Sequence, residues 1–230
     1  MSKRDAGASL NTYIEQGFLP EAVCNYLCLL GWSPKDNREK IDLAEVVRLF
    51  DLEKVNRKNA SFDLEKCTWL NGEYAHALSG SRYYELARQA VARGGIDLAS
   101  FPDSYIQAAL DTCVGKFKIF AELPSYCGFY FCDDFPLNPE GAAKHFTAEN
   151  KPRLQAVREA FGKCEPFDAA NLETTLKAAA AQLAVKVGVL VHPTRLAITG
   201  SKAGPSLYHL LEVLGPAKVL ARIDRALASF

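Results

Sequence analysis

Apolar positions in this chain recur at spacings of three and four, the period of a helix face, and alternation at two is almost absent. In "FLPEAVCNYLCLLGWSP" Val23, Tyr26, Leu27 and Leu30 share one face, Pro20 occupies a first helical position and Gly31 supplies a stop. Asp42 followed by Glu45 predicts a capping-box start for "DLAEVVRLF". Asp63 predicts an N-cap for "LEKCTWL", with Asn71-Gly72 as its end. A helix from about Arg82 to Arg93 is expected to stop at Gly94-Gly95. The next is expected to start at Pro102, run towards Ala121 and halt before Pro124. Pro152, Asp168 and Pro205 open three more, and Gly215-Pro216 begins a terminal one.

Turn-rich breaks fall at "ALSGSR" and "DDFPLNPEG". They divide the chain into three helical modules, 1–79, 80–139 and 140–230, and the fold class expected is all-α. The run "KAAAAQLA" reads as plain helix, and no repeat of fixed period is present. The aromatic run "YCGFYFCDDF" is read as core rather than as a base-stacking surface.

Composition narrows the function class only a little. Apolar residues are 49% and charged residues 23% of 230, an ordinary globular balance. No apolar run approaches a membrane span, and the start lacks a signal-peptide pattern, so a cytoplasmic setting is expected. Formal net charge is zero, yet residues 140–230 carry twelve Lys and Arg against eight Asp and Glu. That modest basic surplus suits a polyanion as partner, and equally a solvated face. The seven cysteines form no C-x-x-C pair and lie far from most of the four histidines. No metal site is expected from them, and buried, inert thiols are the reading adopted.

Two long blocks carry a specific resemblance. The first runs through Ser9, Leu10, Tyr13 and Gly17 to Ala22, then Asn25 to Leu27 and Leu29 to Trp32, and continues at Phe62, Asp63, Lys66, Cys67, Trp69, Asn71 and Gly72. The second is "VHPTRLAITGSKAGPSLYHLLEVLGPAKVLARIDRAL". In order and spacing they resemble the part of glutamyl-tRNA synthetase that follows the class I signature loop K-[ML]-S-K-[SR]. Ser2-Lys3-Arg4 then stands where that loop ends, rather than being a frayed charged tail. The resemblance implies a helical stem-contact module followed by two helical anticodon-binding modules, and a partner in tRNA-Glu, with tRNA-Gln left open. It also implies a missing N-terminal catalytic domain in cis, and a monomer.

What the resemblance implies for chemistry is divided between this chain and the absent half. Lys3 matches the second lysine of the signature loop, whose ammonium stabilises charge building on the phosphates of ATP, and Arg4 would assist. ATP and Mg belong to the full-length enzyme. No cofactor is expected in these 230 residues, which alone are expected to be catalytically inactive. Arg195 takes the place of the family's anticodon-contacting arginine, and His192 stands where glutamine is common. Thr199, Pro205, Leu207 and Tyr208 match the loop and helix start that pack against splayed anticodon bases. Leu207 and Tyr208 could equally be helix core. Lys116 matches the position where enzymes strict for tRNA-Glu tend to carry arginine, and lysine lacks the planar two-pronged donor. A stand-alone helical tRNA-binding or interaction protein derived from a synthetase tail is the competing reading. A cysteine-based metal or redox protein is a third, which no spacing supports.

Overall fold

A computed structural model of the chain describes residues 10–34, 36–56, 61–78 and 80–229. Lys3 and Arg4 lie outside the described residues, as does Ser9. Among the described residues the regular structure is helical throughout, with no strand. Packing divides them into two units. The first comprises the residues up to Ile96 with Val114–Ser125, and the second comprises Asp97–Cys113 with Tyr126–Phe230. Segments 80–96 and 114–125 of the expected middle module thus pack with the first unit, and its remainder with the second.

The first unit holds α1 (Leu10–Gln16), α2 (Pro20–Gly31), α3 (Leu43–Leu49), α4 (Leu64–Ala77) and α5 (Gly80–Arg93). Tyr13, Phe18, Val23, Tyr26, Cys67 and Leu70 form its main core, with Phe62 edge-on to Tyr26 at 5.0 Å. Pro20 begins α2 and Gly31 ends it, as the spacing predicts. Asp63 caps α4 by accepting from Lys66 N–H at 3.0 Å. Asp42 caps α3 through Ala44 N–H, but Glu45 makes no box. Its carboxylate instead takes both terminal nitrogens of Arg38, at 2.9 and 3.2 Å.

The stop expected at Asn71-Gly72 is absent, and α4 runs through to Ala77. Asn71 is fully buried and commits its amide to tertiary partners. Its Oδ1 accepts from Leu19 N–H at 2.7 Å, and its Nδ2 donates to the Lys118 carbonyl at 2.6 Å. Gly72 lies against Lys118, where a Cβ would approach Lys118 Cγ to 3.3 Å. Packing of residue 118 beneath α4 overrides the local turn signal. Asn71→Leu, close in size, is expected to cost about 2 kcal/mol, because a buried N–H and a carbonyl lose their partners. The urea midpoint should fall with an unchanged slope.

The second unit holds α6 (Asp103–Asp111), α8 (Pro139–His145), α9 (Asn150–Phe161), α10 (Ala169–Gln182), α11 (Val187–Thr199) and α12 (Leu207–Ala228). Helix α7 spans Leu123–Phe131. The helix expected from Pro102 to Ala121 ends at Asp111. Gly115, at φ 73°, turns the chain there, and Phe117 and Phe120 pack on Tyr83. Pro124 therefore lies in the first turn of a helix, directly after the 3-10 turn Phe120–Glu122, a placement its fixed φ favours. Helices α9, α10, α11 and α12 each pack against the other three around Leu154, Val157, Phe161, Leu172, Leu176, Leu190 and Ile223. Helix α12 is interrupted at Gly215, φ 77°, so Pro216 restarts it where the sequence predicts.

Within "YCGFYFCDDF" the structure buries Cys127, Phe129 and Tyr130, consistent with core. Burial of the thiols holds for Cys67, Cys113 and Cys127 only. Cys24 and Cys132 are exposed, and Cys28 and Cys164 half-buried. Burial pushes the Cys67 thiol up to about 11.

Candidate nucleic-acid interface

His192, Arg195 and Thr199 lie three and then four residues apart on α11, a spacing that sets them in one stripe. The opposite side of the helix supplies Leu190, Thr194 and Ala197 to the interior, and Leu196 and Ile198, flanking the stripe, are buried as well. Gly200, at φ 70°, ends α11 in the left-handed conformation, and its N–H returns to the Leu196 carbonyl at 2.9 Å. Thr199 ties the turn together. Its hydroxyl donates to the Arg195 carbonyl at 2.8 Å and accepts from Ser201 N–H at 3.1 Å.

Arg195 crosses the loop that follows. Its Nη1 donates to the Pro205 carbonyl at 2.7 Å, and Gly204 lies close beneath, where a Cβ would come within 3.4 Å of Nη1. Burial lowers the guanidinium pKa from its usual value, opposed in part by the nearby Tyr130. The group stays cationic, since arginine does not deprotonate in proteins. One nitrogen is held by the loop, and the other donors have no acceptor among the described residues. A planar donor anchored at one corner and open at the rest is suited to the edge of an unpaired base.

The other matched positions divide. Pro205 is buried and Leu207 is only 4% exposed. Both are therefore floor beneath the loop and not surface on which a base could stack. The helix starts at Leu207, after Ser206, and Pro205 serves through its carbonyl. Tyr208 is half-buried, and burial, then the neighbouring Glu173, raise its phenol. His192 is exposed and stacks on His145 of α8, ring centroids 5.3 Å apart and planes 19° from parallel. Lys116 belongs to the first unit and is exposed there.

Two residues of this region escape a reading of the sequence. Arg222, 3% exposed, donates to the Ile198 carbonyl at 2.8 Å, to the Phe129 carbonyl at 2.7 Å and to Asp133 Oδ1 at 2.6 Å. Its signal was present: with Val219, Ile223 and Ala226 it occupies a helical apolar stripe, where a cation must find partners. His145 carried no such signal, because its partner lies on another helix.

Residues 82–227 match the family described as "Anticodon binding domain", and residues 1–69 match "tRNA synthetases class I (E and Q), catalytic domain". The glutamate–tRNA ligase 2 of Caldicellulosiruptor saccharolyticus is 34% identical over 230 residues, covering 100% of this chain and 48% of that protein. The glutamate–tRNA ligase of Akkermansia muciniphila is 38% identical over 224 residues, covering 97% of this chain and 50% of that protein. A crystal structure of a glutamate tRNA ligase from Elizabethkingia meningosepticum, in complex with its amino acid, superposes with a TM-score of 0.83 at 25% identity. It covers 94% of this chain and 42% of the other. The chain thus spans about half the length of the relatives it matches. Similar to glutamate–tRNA ligases along its whole length, the chain belongs, over residues 82–227, to the anticodon-binding domain family.

Proposed function

We propose that these residues are the tRNA-recognising part of a glutamate–tRNA ligase, and that Arg195, beside the turn that buried Thr199 ties, reads anticodon bases of tRNA-Glu. The observation that carries this is the half-buried Arg195 guanidinium, pinned to the Pro205 carbonyl by one nitrogen and open at the others. Such a group loses little further ordering entropy on binding and offers a fixed donor pattern. In this reading 1–79 contact the inner side of the tRNA, and 80–139 and 140–230 are the two anticodon-binding modules. The complete enzyme would activate glutamate with ATP and transfer it to the tRNA in the cytoplasm, acting as a monomer. Lys3 and Arg4 are assigned to the ATP phosphates by resemblance alone. Among the described residues no group of three or more His, Cys, Asp or Glu is placed to hold a metal ion.

Arg195→Ala is expected to lose about 1–3 kcal/mol of binding to tRNA-Glu, the usual worth of a good side-chain-to-base contact. A filter-binding titration on native tRNA and on tRNA with replaced anticodon bases tests this. The loss should vanish on the altered tRNA, and an equal loss on both would make Arg195 a phosphate contact or a structural residue. Affinity should fall with added salt as phosphate contacts release counterions. Comparing tRNA-Glu with tRNA-Gln, in the wild type and in Lys116→Arg, addresses the choice between them. The arginine variant should discriminate more strongly.

A further inference from the structure

The stacked pair His145 and His192 sits among positive charge. The groups acting on His145 are His192, Lys144 of its own helix and Lys202 of the loop after α11. None of them is acidic. The carboxylate that pairs with this cluster, Glu140 of α8, is already bonded to Lys202 Nζ at 2.6 Å. Neither imidazole ring has a carboxylate partner among the described residues. Lys144 and His192 are exposed, so the cluster faces solvent one helical turn from Arg195.

Two imidazoles and two ammonium groups with a single, already engaged acid form a site that lacks an anion. Stacking at 5.3 Å brings the rings close enough that a positive charge at His192 would oppose one on His145. Burial, followed by the neighbouring charges, keeps His145 below its ordinary value in the free chain. An anion seated on the pair would reverse that balance.

We propose that His145, His192, Lys144 and Lys202 form a subsite for an RNA phosphodiester beside the Arg195 position, and that the imidazole pair takes up one proton as the phosphate seats. This rests on the reading of the α11 face as tRNA-binding. The phosphodiester supplies the counter-charge that the protein withholds, and Arg195 reads the base while the pair holds the backbone. By linkage, affinity must rise as pH falls through the imidazole value of the bound state, and level off once the free pair is also protonated.

The test is a titration of labelled tRNA-Glu with the 230-residue chain in phosphate-free buffer at constant ionic strength, between about pH 8 and about pH 5.5. Wild-type affinity is expected to rise roughly tenfold over that range, as it does when binding raises the pKa of a single group by about one. In the double variant His145→Phe, His192→Gln the rise should be about twofold or less, while an aromatic ring is retained at 145. Calorimetry near pH 6 in two buffers of different ionisation enthalpy should count about half a proton taken up by the wild type, the most that a rise of about one in a single pKa can give, and close to none by the double variant. His76→Gln and His209→Gln should leave the pH dependence intact. If the double variant unfolds, the single substitution of exposed His192 still reports, because the pair is then broken.

An unchanged pH dependence in His192→Gln or the double variant overturns the proposal, as does a wild type whose affinity is flat with pH. Those results leave the anticodon reading standing if Arg195→Ala still separates native from altered tRNA. Failure of that separation, with pH-dependent binding retained and lost in the double variant, would instead remove the base-reading role and keep the phosphate subsite. Absence of tRNA binding at any pH would overturn both.

Discussion

Replacing Arg222 by methionine is expected to lower the free energy of unfolding by about 3–5 kcal/mol, the range for removing one member of a buried polar set; its two terminal nitrogens are engaged, and only Nε lacks a partner. The reason is where its acceptors lie. The Ile198 carbonyl is in the last turn of α11, and those of Phe129 and Cys132 are at the end of α7. Carbonyls at helix C-termini have no intrahelical donor and carry the negative end of the helix dipole. A single guanidinium from α12 therefore satisfies two helix ends at once, and its plane lies over the Phe135 ring at 4.9 Å. Methionine keeps the stem volume and leaves those carbonyls buried without donors. Urea denaturation followed by circular dichroism measures the loss. A change under about 1 kcal/mol would mean that water replaces the guanidinium at no cost.

Arg222→Lys should recover only part of that stability, since one ammonium cannot span carbonyls that the planar fork reaches together. Acid should act on the same joint. The hydrogen bond from Arg222 holds the Asp133 carboxyl below the usual carboxylate range. A depressed folded value contributes stability above the unfolded pKa, and that contribution is lost as pH falls through the folded value. The Asp133 side chain is 67% exposed, so solvent screens the pair and the acid effect should be smaller than that of Arg222→Met. His145 works in the same direction at higher pH. Its lowered value makes protonation of the folded chain unfavourable, so stability should decline as pH falls below the ordinary imidazole range.

Helix starts were legible wherever the signal was local. Pro20, Asp42, Asp63 and Asp168 act on backbone groups one to three residues away, and each stands at a helix start in the structure. Stops were less legible, because a stop can be overruled from outside. Asn71-Gly72 reads as a turn until residues 19 and 118, distant in sequence, take the asparagine amide. Pro124 reads as a barrier, yet a proline fits the first turn of a helix as well as the space beyond one. Periodicity cannot choose between those placements.

The candidate site divides along similar lines. His192, Arg195 and Thr199 belong to one helix, so their common face follows from spacing. The engagement of Arg195 with the Pro205 carbonyl does not, since it depends on how the loop closes. Leu207 was open between base platform and core, and its 4% exposure decides for core. The pairing of His145 with His192 joins α8 to α11, with α9 and α10 between them in the chain, and only tertiary packing could disclose it.

Gly200→Ala is expected to be the most damaging single-methyl change near the site, costing about 3 kcal/mol or more by adding backbone strain to overpacking. At φ 70° the residue occupies a region that a Cβ disfavours. The added methyl would also press on the Pro136 carbonyl and come within 2.7 Å of the Phe135 ring. Neither neighbour is free to yield. Asn138 N–H donates to the Gly200 carbonyl at 2.8 Å, which locks residues 136–138 to the turn, and Phe135 is held under Arg222 and Arg225. Relief must come from the other side, by moving the turn at 199–201 and with it the loop whose Pro205 carbonyl anchors Arg195. Stability and recognition should therefore fall together: a lower urea midpoint, and a loss of discrimination between native and altered anticodons in whatever fraction remains folded. Gly204→Ala is the matched comparison. At φ 158° it carries some backbone strain too, but its Cβ would meet only Arg195 Nη1, at 3.4 Å, so stability should fall less than in Gly200→Ala while binding still suffers. If Gly200→Ala unfolds at the wild-type midpoint and still discriminates between the two tRNAs, the turn is softer than its packing indicates, and Arg195 is not held by it.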